Sequence, residues 1–245
     1  MKFAVLLFLA CVVCAAASSA AKEPVFSDDA CVVIKSNPSA AFDLTSINPT
    51  SDGSPRHIYT DFHEALKSCP FDPVLIEFAV DLKIDASVPL VYNQSKDLIL
   101  RGLFNDGRPT IKGFVNLEVL QPGVNVTFEH FEMDGEDANA GVFAERCPNT
   151  KGICTPCLVG NNLRINFMVF RNYVGEKVVC HLSMNEVVTE IENSTFMGIS
   201  GRAISVSTEG GFSIKNNHFY SKGDSVYIRA ARGENSFWGN IYHRQ

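Results

Sequence analysis

The feature that most constrains the fold is a short pattern that recurs after 23 residues. The segments IENSTFMGIS (191–200) and IKNNHFYSKG (214–223) both read apolar, charged, Asn, polar, polar, Phe. The apolar residue that starts the pattern also recurs upstream, at longer spacings. This first column contains Phe128, Ile165, Ile191, Ile214 and Phe237, and before them come Leu75 and Ile99 in VLIEF and LILRG. A repeat of roughly 20 to 30 residues with several strands per unit is typical of a solenoid of stacked coils.

Two further columns keep step with the first. The second lies five residues behind it and contains Met133, Phe170, Phe196, Phe219 and Tyr242. The third consists of short apolar strands that start at residues 141, 177, 203 and 225. Each unit is punctuated by Gly or Asn, and none has the 3.6-residue apolar period of a long helix. The columns therefore predict an all-β fold, a parallel β-helix whose coils stack about 4.8 Å apart.

Stacking of the coils makes two predictions about polar residues. Asn193 is expected above Asn216, with side-chain amides that hydrogen-bond along the stack. On the outer face, Arg164 aligns with Glu190, and Glu192 aligns with Lys215. Opposite charges that face each other across strands contribute only about 0.2 to 1 kcal/mol. These pairs therefore test the register of the coils and do not indicate a catalytic site.

The early part of the repeat region carries a resemblance to a known superfamily. The segment HIYTDFHEALKSCPFDPVLIEFAVDLKIDASVPL (57–90) resembles the start of pectinesterase-type helices, and KDLILRGLFNDGRPTIKGF (96–114) resembles their second coil. Residues 57–245 thus resemble the right-handed parallel β-helix, or pectin-lyase-like, superfamily. The resemblance implies a single-stranded right-handed solenoid with a short capping helix. It does not by itself define a function.

The capping helix can also be read from the residues themselves. Asp61 can cap a helix that runs from Phe62 to Lys67, and Glu64 follows the cap by three residues. Phe62, Ala65 and Leu66 give this helix one apolar face. We therefore expect it to close the first coil of the solenoid.

The catalytic motifs of the resembled enzymes are absent from the sequence. Enzymes of the superfamily use carboxylates on the outer face of the helix, with basic residues or Ca²⁺. The chain has no DFIFG or QDT segment of pectinesterases, no NTD or GHG segment of polygalacturonases and no RxPxxR segment of pectate lyases. No catalytic residue can therefore be carried over from these families.

The acidic segment MDGEDANAG is the main remaining candidate for chemistry. It places Asp134, Glu136 and Asp137 within one expected turn. Glycosidases need two carboxyl groups about 5 to 9.5 Å apart, and a cluster of acids could also hold Ca²⁺. The alternative, which we favour, is a solvated turn built on Asp-Gly. Arg229, in the last coils, is the basic candidate that could assist Asp134 and Asp137. No metal site is assigned, and Ca²⁺ is the one cofactor left open.

Six cysteines follow the N-terminal segment: Cys31, Cys69, Cys147, Cys154, Cys157 and Cys180. The C-x6-C-x2-C spacing is similar to a zinc site, but a secreted chain favours disulfides. We expect Cys31 to pair with Cys69 and pin the N-terminal segment. Of the other four, three lie in a loop near 144–160 and Cys180 lies on the next coil, and they are expected to form two bridges whose connectivity stays open.

The N-terminus predicts secretion. Residues 1–21 combine Lys2, a short apolar run and small residues that fit a signal-peptide cleavage site. The run is too short to span a bilayer comfortably, so no transmembrane segment is expected. Glycosylation sequons begin at Asn93, Asn125 and Asn193. Residues 22–56 are interpreted as a lead-in or linker with one short strand at Cys31–Ile34.

Charge and the C-terminal sequence bear on the partners. The formal net charge is −6 and the chain has no Lys/Arg cluster, so a nucleic-acid partner is excluded. The segment NIYHRQ ends within the repeat pattern. An uncapped solenoid exposes edge strands, so we expect either that a neighbouring chain covers the last coil, for instance by self-association, or that this is a minimal or incomplete member of the superfamily.

These observations leave three hypotheses for function. The first is a non-catalytic secreted β-helix that binds a glycan, or another component of a cell surface or cell wall. The second is a polysaccharide lyase or glycoside hydrolase that acts on an acidic polysaccharide, although the negative charge disfavours a polyanion unless Ca²⁺ bridges. The third is an adhesion or assembly module. Salt-bridged acids would favour the first, and an intact acid pair beside a basic residue in a groove would favour the second.

Overall fold

The computed structural model describes residues 25–34, 47, 49–84, 88–104, 107–113, 115–135, 150–155, 161–173, 177–182, 186–221, 225–229 and 232–243. Within them there is one helix, α1 (Phe62–Ser68). The strands, in chain order, are β1 (Ala30–Val33), β2 (His57–Tyr59), β3 (Val74–Phe78), β4 (Leu82–Lys83), β5 (Leu90–Tyr92), β6 (Leu98–Gly102), β7 (Thr110–Lys112), β8 (Val115–Val119), β9 (Asn125–Glu129), β10 (Glu132–Asp134), β11 (Thr150–Thr155), β12 (Asn162–Asn166), β13 (Val169–Arg171), β14 (Lys177–Leu182), β15 (Thr189–Glu192), β16 (Thr195–Ile199), β17 (Arg202–Ser207), β18 (Phe212–Lys215), β19 (His218–Ser221), β20 (Val226–Arg229), β21 (Asn235–Trp238) and β22 (Ile241–Tyr242).

The strands wind as a parallel β-solenoid, which confirms the predicted fold class. Over the described residues they form a nine-stranded sheet in the order β2-β1-β3-β6-β9-β12-β15-β18-β21. The second sheet has seven strands in the order β22-β19-β16-β13-β10-β7-β4, and the third has six in the order β20-β17-β14-β11-β8-β5. From β3 onward, one coil contributes one strand to each sheet, so the repeat in the sequence is one turn of the solenoid.

The two apolar columns predicted from the sequence form the core. The first runs in register through Phe128, Ile165, Ile191, Ile214 and Phe237 of the nine-stranded sheet. The second aligns Met133, Phe170, Phe196, Phe219 and Tyr242 in the seven-stranded sheet. Its rings stack, with centroids 4.9 Å apart for Phe170–Phe196 and 5.1 Å apart for Phe196–Phe219. Offset stacking at this spacing is favourable, and the rings are buried up to Phe219.

Upstream, the first column shifts by one residue from the position that the sequence suggests. Leu75 and Ile99 are in register with each other, but Phe128 aligns with Leu100. Successive side chains of a strand point to opposite faces, so the inward column continues through Leu100 and Ile76.

In the third column, the predicted strands at residues 177, 203 and 225 are confirmed as β14, β17 and β20. The segment predicted at residue 141 lies outside the described residues. In that coil, β11 occupies the place between β8 and β14.

Asn193 and Asn216 occupy equivalent positions in adjacent coils, with φ of 52° and 54°, and the Asn193 amide donates along the stack to Asn166 Oδ1 at 3.0 Å. A second ladder, which the sequence interpretation did not predict, lies one residue later. In it, Asn217 Oδ1 accepts from the Ser194 backbone N–H at 2.9 Å, and Asn217 Nδ2 donates to the Ile191 carbonyl at 2.8 Å. Asn240 repeats this geometry one coil later by donating to the Ile214 carbonyl at 2.9 Å. The ladder satisfies backbone groups that the turn would otherwise leave unpaired.

Helix α1 closes the first coil, as its sequence predicts. The Asp61 carboxylate accepts a hydrogen bond from the His63 N–H at 2.8 Å and caps the helix. Phe62, Ala65 and Leu66 are buried in the main core. A disulfide joins Cys31 of β1 to Cys69 at the end of the helix, which confirms this predicted pair.

The first segment of the lead-in is part of the nine-stranded sheet and covers its outer face. Strand β1 lies between β2 and β3, so its buried Val32 packs with Phe26, Ile34 and Ile47 in a second small core. Glu77 of β3 is fully buried beneath this segment and accepts hydrogen bonds from the Ser27 N–H and hydroxyl, both at 2.7 Å. The first coils are thus covered, and the outer face is open only in later coils.

Within the described residues, no helix has the length and apolarity needed to cross a membrane.

Replacement of Asn217 by Ala should destabilise the solenoid strongly. The change leaves the Ser194 N–H and the Ile191 carbonyl buried without a partner, at a cost of about 2–5 kcal/mol. Urea unfolding followed by circular dichroism would measure the loss. The control is Asn216→Gly in the same turn, where glycine tolerates the positive φ and a change below about 1 kcal/mol is expected. Equal urea midpoints for the two variants would contradict the stabilising role assigned to the Asn217 amide.

Candidate binding surface

The acidic candidate Asp134 does not lie in a solvated turn, contrary to the favoured interpretation of its segment. It ends strand β10 and is buried. The register places it directly opposite Arg171 of the next coil, whose Nη2 lies 2.9 Å from Asp134 Oδ2. The Asn172 amide also donates to Asp134 Oδ1 at 3.2 Å. Glu136 and Asp137 lie outside the described residues, so their part in the cluster stays a prediction.

Arg171 also binds Glu132, which lies two residues before Asp134 on the same face of the strand. Its Nε contacts Glu132 Oε1. Burial raises the pKa of the Glu132 carboxyl above its usual range, and the positive charge of Arg171 opposes that shift. Two carboxylates that share one guanidinium form an ion-pair network, which holds adjacent coils together.

The other outward charges follow the same pattern. The predicted register pairs are present, with Arg164 Nε 3.4 Å from Glu190 Oε2 and Lys215 Nζ 3.7 Å from Glu192 Oε1. The register of the coils is thus confirmed. Upstream, Arg101 bridges Glu77 at 3.2 Å and Glu129 at 2.6 Å.

The basic candidate Arg229 lies away from Asp134. It is exposed at the end of β20 in the six-stranded sheet, where it aligns with Ser207. Asp134 belongs to the seven-stranded sheet, so the structure does not bring these two residues together.

His181 is not available for acid–base chemistry at neutral pH. It is fully buried, and its Nδ1 lies 2.6 Å from the Thr189 hydroxyl. Burial lowers the pKa of its imidazole to about 4. The ring is therefore neutral at pH 7 and has a structural role.

The remaining cysteines are only partly described. Cys154 of β11 and Cys180 of β14 are register partners on adjacent strands. Cys147 and Cys157 lie outside the described residues. The two further bridges therefore stay predictions.

Among the described residues, no group of three or more His, Cys, Asp or Glu side chains is placed to hold a metal ion. Because Glu136 and Asp137 fall outside that part of the chain, Ca²⁺ binding there stays a prediction.

The three sequons differ in their surroundings. Asn93 is exposed, and its Oδ1 accepts from Gln121 at 2.8 Å. The amide nitrogens that would carry a glycan are already donors at the other two sites: Asn125 donates to Asp97 at 2.9 Å and Asn193 donates to Asn166 at 3.0 Å. Asn93 is thus the sequon best placed for modification, and occupancy of all three stays a prediction.

A polar groove runs parallel to the solenoid axis along the starts of the strands of the nine-stranded sheet. One part, of about 410 Å³, is lined by Asp97, Asn125, Val126, Thr127, Asn162, Leu163, Arg164, Val188 and Glu190. It shares Val188 and Glu190 with a second hollow of about 930 Å³ that continues to Asn235 and Ser236. The lining reaches from β6 to β21, which corresponds to five coil spacings or about 24 Å.

Side chains in the smaller part of the polar groove form a hydrogen-bonded row. Asn162 Nδ2 donates to Asn125 Oδ1 at 2.8 Å, and Asn162 Oδ1 accepts from the Val188 N–H at 2.8 Å. The charged lining of the larger hollow consists of Glu186, Glu190, Glu209, Glu234, Lys215 and Arg232. Carboxylates therefore outnumber cations there, and the potential disfavours a polyanionic ligand.

A cluster of aromatic residues, here called the aromatic turn, lies at the opposite edge of the same sheet. It consists of the rings of Phe104, His130 and Phe167, together with Arg108, whose guanidinium lies beside them. The His130 and Phe167 rings stack with centroids 5.0 Å apart and planes 9° apart, and Phe104 meets His130 edge-on at 5.7 Å. The Arg108 guanidinium lies 5.2 Å from the centre of the Phe104 ring and donates to the Phe167 carbonyl at 2.6 Å.

The sequence interpretation missed the aromatic turn, although the signal was present. His130 and Phe167 each follow a residue of the first column by two positions, the position that Asn193 and Asn216 occupy in later coils. Two aromatic residues at a position that is asparagine in the next two coils would have indicated a functional surface rather than a repeated turn.

Fold and surface together define a parallel β-solenoid with an ion-paired outer face, a polar groove and an exposed aromatic turn. No known protein family, curated protein or solved structure matches the chain.

Arg171→Met should lower the stability in a pH-dependent way. Without the cation, burial raises the Glu132 pKa further, so the folded state binds a proton more tightly than the unfolded state does. The loss in the free energy of unfolding should be about 2–3 kcal/mol at pH 7, because the partial exposure of Arg171 reduces the value for a buried pair. It should grow as pH rises through the Glu132 pKa and shrink below about pH 4.

Urea unfolding of both proteins between pH 4 and 8 measures this difference. Arg164→Met is the matched control, because its pair with Glu190 is exposed and should contribute about 0–1 kcal/mol at every pH. A loss for Arg171→Met that does not change with pH would contradict the network.

Proposed function

We propose that this chain is a secreted, non-catalytic β-helix protein of the pectin-lyase-like type that binds a glycan along its polar groove. The observation that carries the proposal is the state of six acids on the strands of the nine-stranded and seven-stranded sheets. Glu77, Glu129, Glu132, Asp134, Glu190 and Glu192 all lie in ion pairs with arginine or lysine. A glycosidase needs one carboxyl free to donate a proton and one free to act as base or nucleophile. Acids held in coil-to-coil pairs favour binding over turnover.

The chemistry of the polar groove supports a glycan as the ligand. Amides, hydroxyls and carboxylates of Asn125, Thr127, Asn162 and Glu190 are hydrogen-bonding partners for sugar hydroxyls. Equivalent positions recur about every 4.8 Å along an open groove, which suits a linear polymer. The excess of carboxylates favours a neutral glycan over an acidic one.

Secretion is part of the proposal. The signal-like residues 1–21 and the sequons support an extracellular location, and the Cys31–Cys69 disulfide is typical of an oxidising compartment. A glycan of a cell surface or cell wall is then the accessible class of partner.

The test is a glycan-array screen with the purified protein, with and without Ca²⁺, in which the same wells are assayed for reducing ends and unsaturated products. We expect binding to neutral glycans that needs no Ca²⁺ and gives no product. Product release would establish an enzyme and refute the non-catalytic assignment. A well-folded protein with neither signal would refute glycan binding.

Val188→Arg should block the polar groove. Val188 lines both hollows and is 39% exposed, so a long cationic side chain there would obstruct the junction. Affinity for the best array glycan should fall at least about tenfold, or about 1.4 kcal/mol, in a calorimetric titration. The matched control is Val91→Arg, which adds the same charge at a valine that is 40% exposed on β5, in another sheet. Equal losses in both variants would show a general charge effect instead.

Self-association is a second candidate, favoured by the last described coil. Strands β20, β21 and β22 each end their sheet within the described residues, and Phe237, Ile241 and Tyr242 are exposed there. Unpaired strand edges beside apolar side chains are a template for pairing with a second copy of the chain. Sedimentation velocity should then show a concentration-dependent dimer that Ile241→Asp abolishes. A monomer at all concentrations would refute this role.

A further inference from the structure

One residue in each later coil has a left-handed backbone at the turn from the nine-stranded to the seven-stranded sheet. These residues are His130, Phe167, Asn193, Asn216 and Gly239, with φ between 52° and 68°. Each of the first four donates its backbone N–H to the next coil in the same way: His130 to Asn166, Phe167 to Glu192, Asn193 to Lys215 and Asn216 to Trp238. The five positions are therefore structurally equivalent.

Asparagine and glycine tolerate the positive φ at this position, whereas phenylalanine does not. Glycine has no Cβ to clash at positive φ, and asparagine tolerates it better than most residues. A bulky side chain at positive φ is an outlier that the surrounding structure must hold in place. Phe167, with φ of 52°, therefore strains a turn that Asn193 forms one coil later without that strain.

Burial does not compensate for this strain. The Phe167 side chain is 41% exposed, and that of Phe104 is 49% exposed. His130 lies between them, stacked on one ring and edge-on to the other. A strained residue that keeps a ring in solvent indicates a functional role rather than a core position.

We propose that the aromatic turn is a sugar-binding site in which one pyranose ring of a glycan packs against the exposed part of Phe167. The assignment of a sugar as the ligand rests on the proposed function. The site lies across the sheet from the polar groove, roughly 17 Å away for a five-residue strand. It is thus a second contact region and not part of the groove.

The surroundings of the rings fit a sugar rather than an apolar peptide. The exposed rings offer a small flat surface for the C–H face of a pyranose. A cation lies beside the rings: the Arg108 guanidinium is 5.2 Å from the centre of the Phe104 ring and donates to the Phe167 carbonyl. A guanidinium at the edge of an apolar surface is a hydrogen-bond donor for the hydroxyls around a pyranose.

Phe167→Asn separates the roles of strain and binding, because asparagine is the residue that the neighbouring coils use. The variant should fold normally and unfold about 2–4 °C higher than the wild type, since the strain is relieved. Its affinity for soluble neutral hexasaccharides of β-1,4-linked glucose, mannose or N-acetylglucosamine should fall at least about tenfold, measured by calorimetric titration. Phe167→Tyr, which keeps the ring, should retain the affinity.

Tyr227→Asn is the matched control, since Tyr227 is 40% exposed on β20 in another sheet and should not affect binding. If the wild type binds a hexasaccharide and Phe167→Asn binds it equally well, the aromatic turn is not a sugar site, while the proposed function stands. If the wild type binds none of these hexasaccharides and no glycan on the array, both fail. A lower unfolding temperature for Phe167→Asn would overturn the strain on which this inference rests.

Discussion

The parallel register between successive coils is the constraint on which the rest of the structure depends. Pairing places equivalent residues about 4.8 Å apart, so the direction of one side chain is repeated in every coil. Ile165, Ile191 and Ile214 therefore all face the core, and the residues beside them all face outward. A slip of one residue would bury Glu190 and Glu192 and expose the isoleucines. The apolar column and the outward charges thus specify the same register.

The turns that maintain this register are stabilised by different side chains in different coils. Early coils place an apolar residue just after the left-handed position: Phe131 packs edge-on against Phe78, and Met168 is fully buried. Later coils place Ser194, Asn217 and Asn240 there, and these side chains bind backbone groups directly. The apolar residues fill volume, whereas the polar residues satisfy hydrogen bonds, and both solutions leave the same strand positions in the next sheet.

The sequence predicts most of the solenoid because periodicity is a local signal. The two inward columns and two ion pairs follow from spacing, the capping helix follows from Asp61 and its apolar face, and the Cys31–Cys69 bridge was the pair left after the other four cysteines. The pairing of Asp134 with Arg171 follows from spacing as well, since Met133 and Phe170 are equivalent. We missed this because Asp-Gly was interpreted as a turn without regard to the column. Phe104 and Arg108 could not be placed, because they lie between β6 and β7, where no repeat defines the register.

A solenoid of this kind restricts where function can reside. An outward acid beside an equivalent cation in the next coil forms a pair, and the pair stabilises the stack at the expense of the chemistry of a free carboxylate. Arg171, which binds both Glu132 and Asp134, is the clearest case. The groups outside these ion pairs are neutral, such as the groove amides, which hydrogen-bond from coil to coil, and the exposed rings. Phe167 even lowers the stability of the fold, because its positive φ strains the backbone. The proposed sugar site accounts for this residue, because binding of a ligand to the ring would offset the strain that the fold alone does not explain.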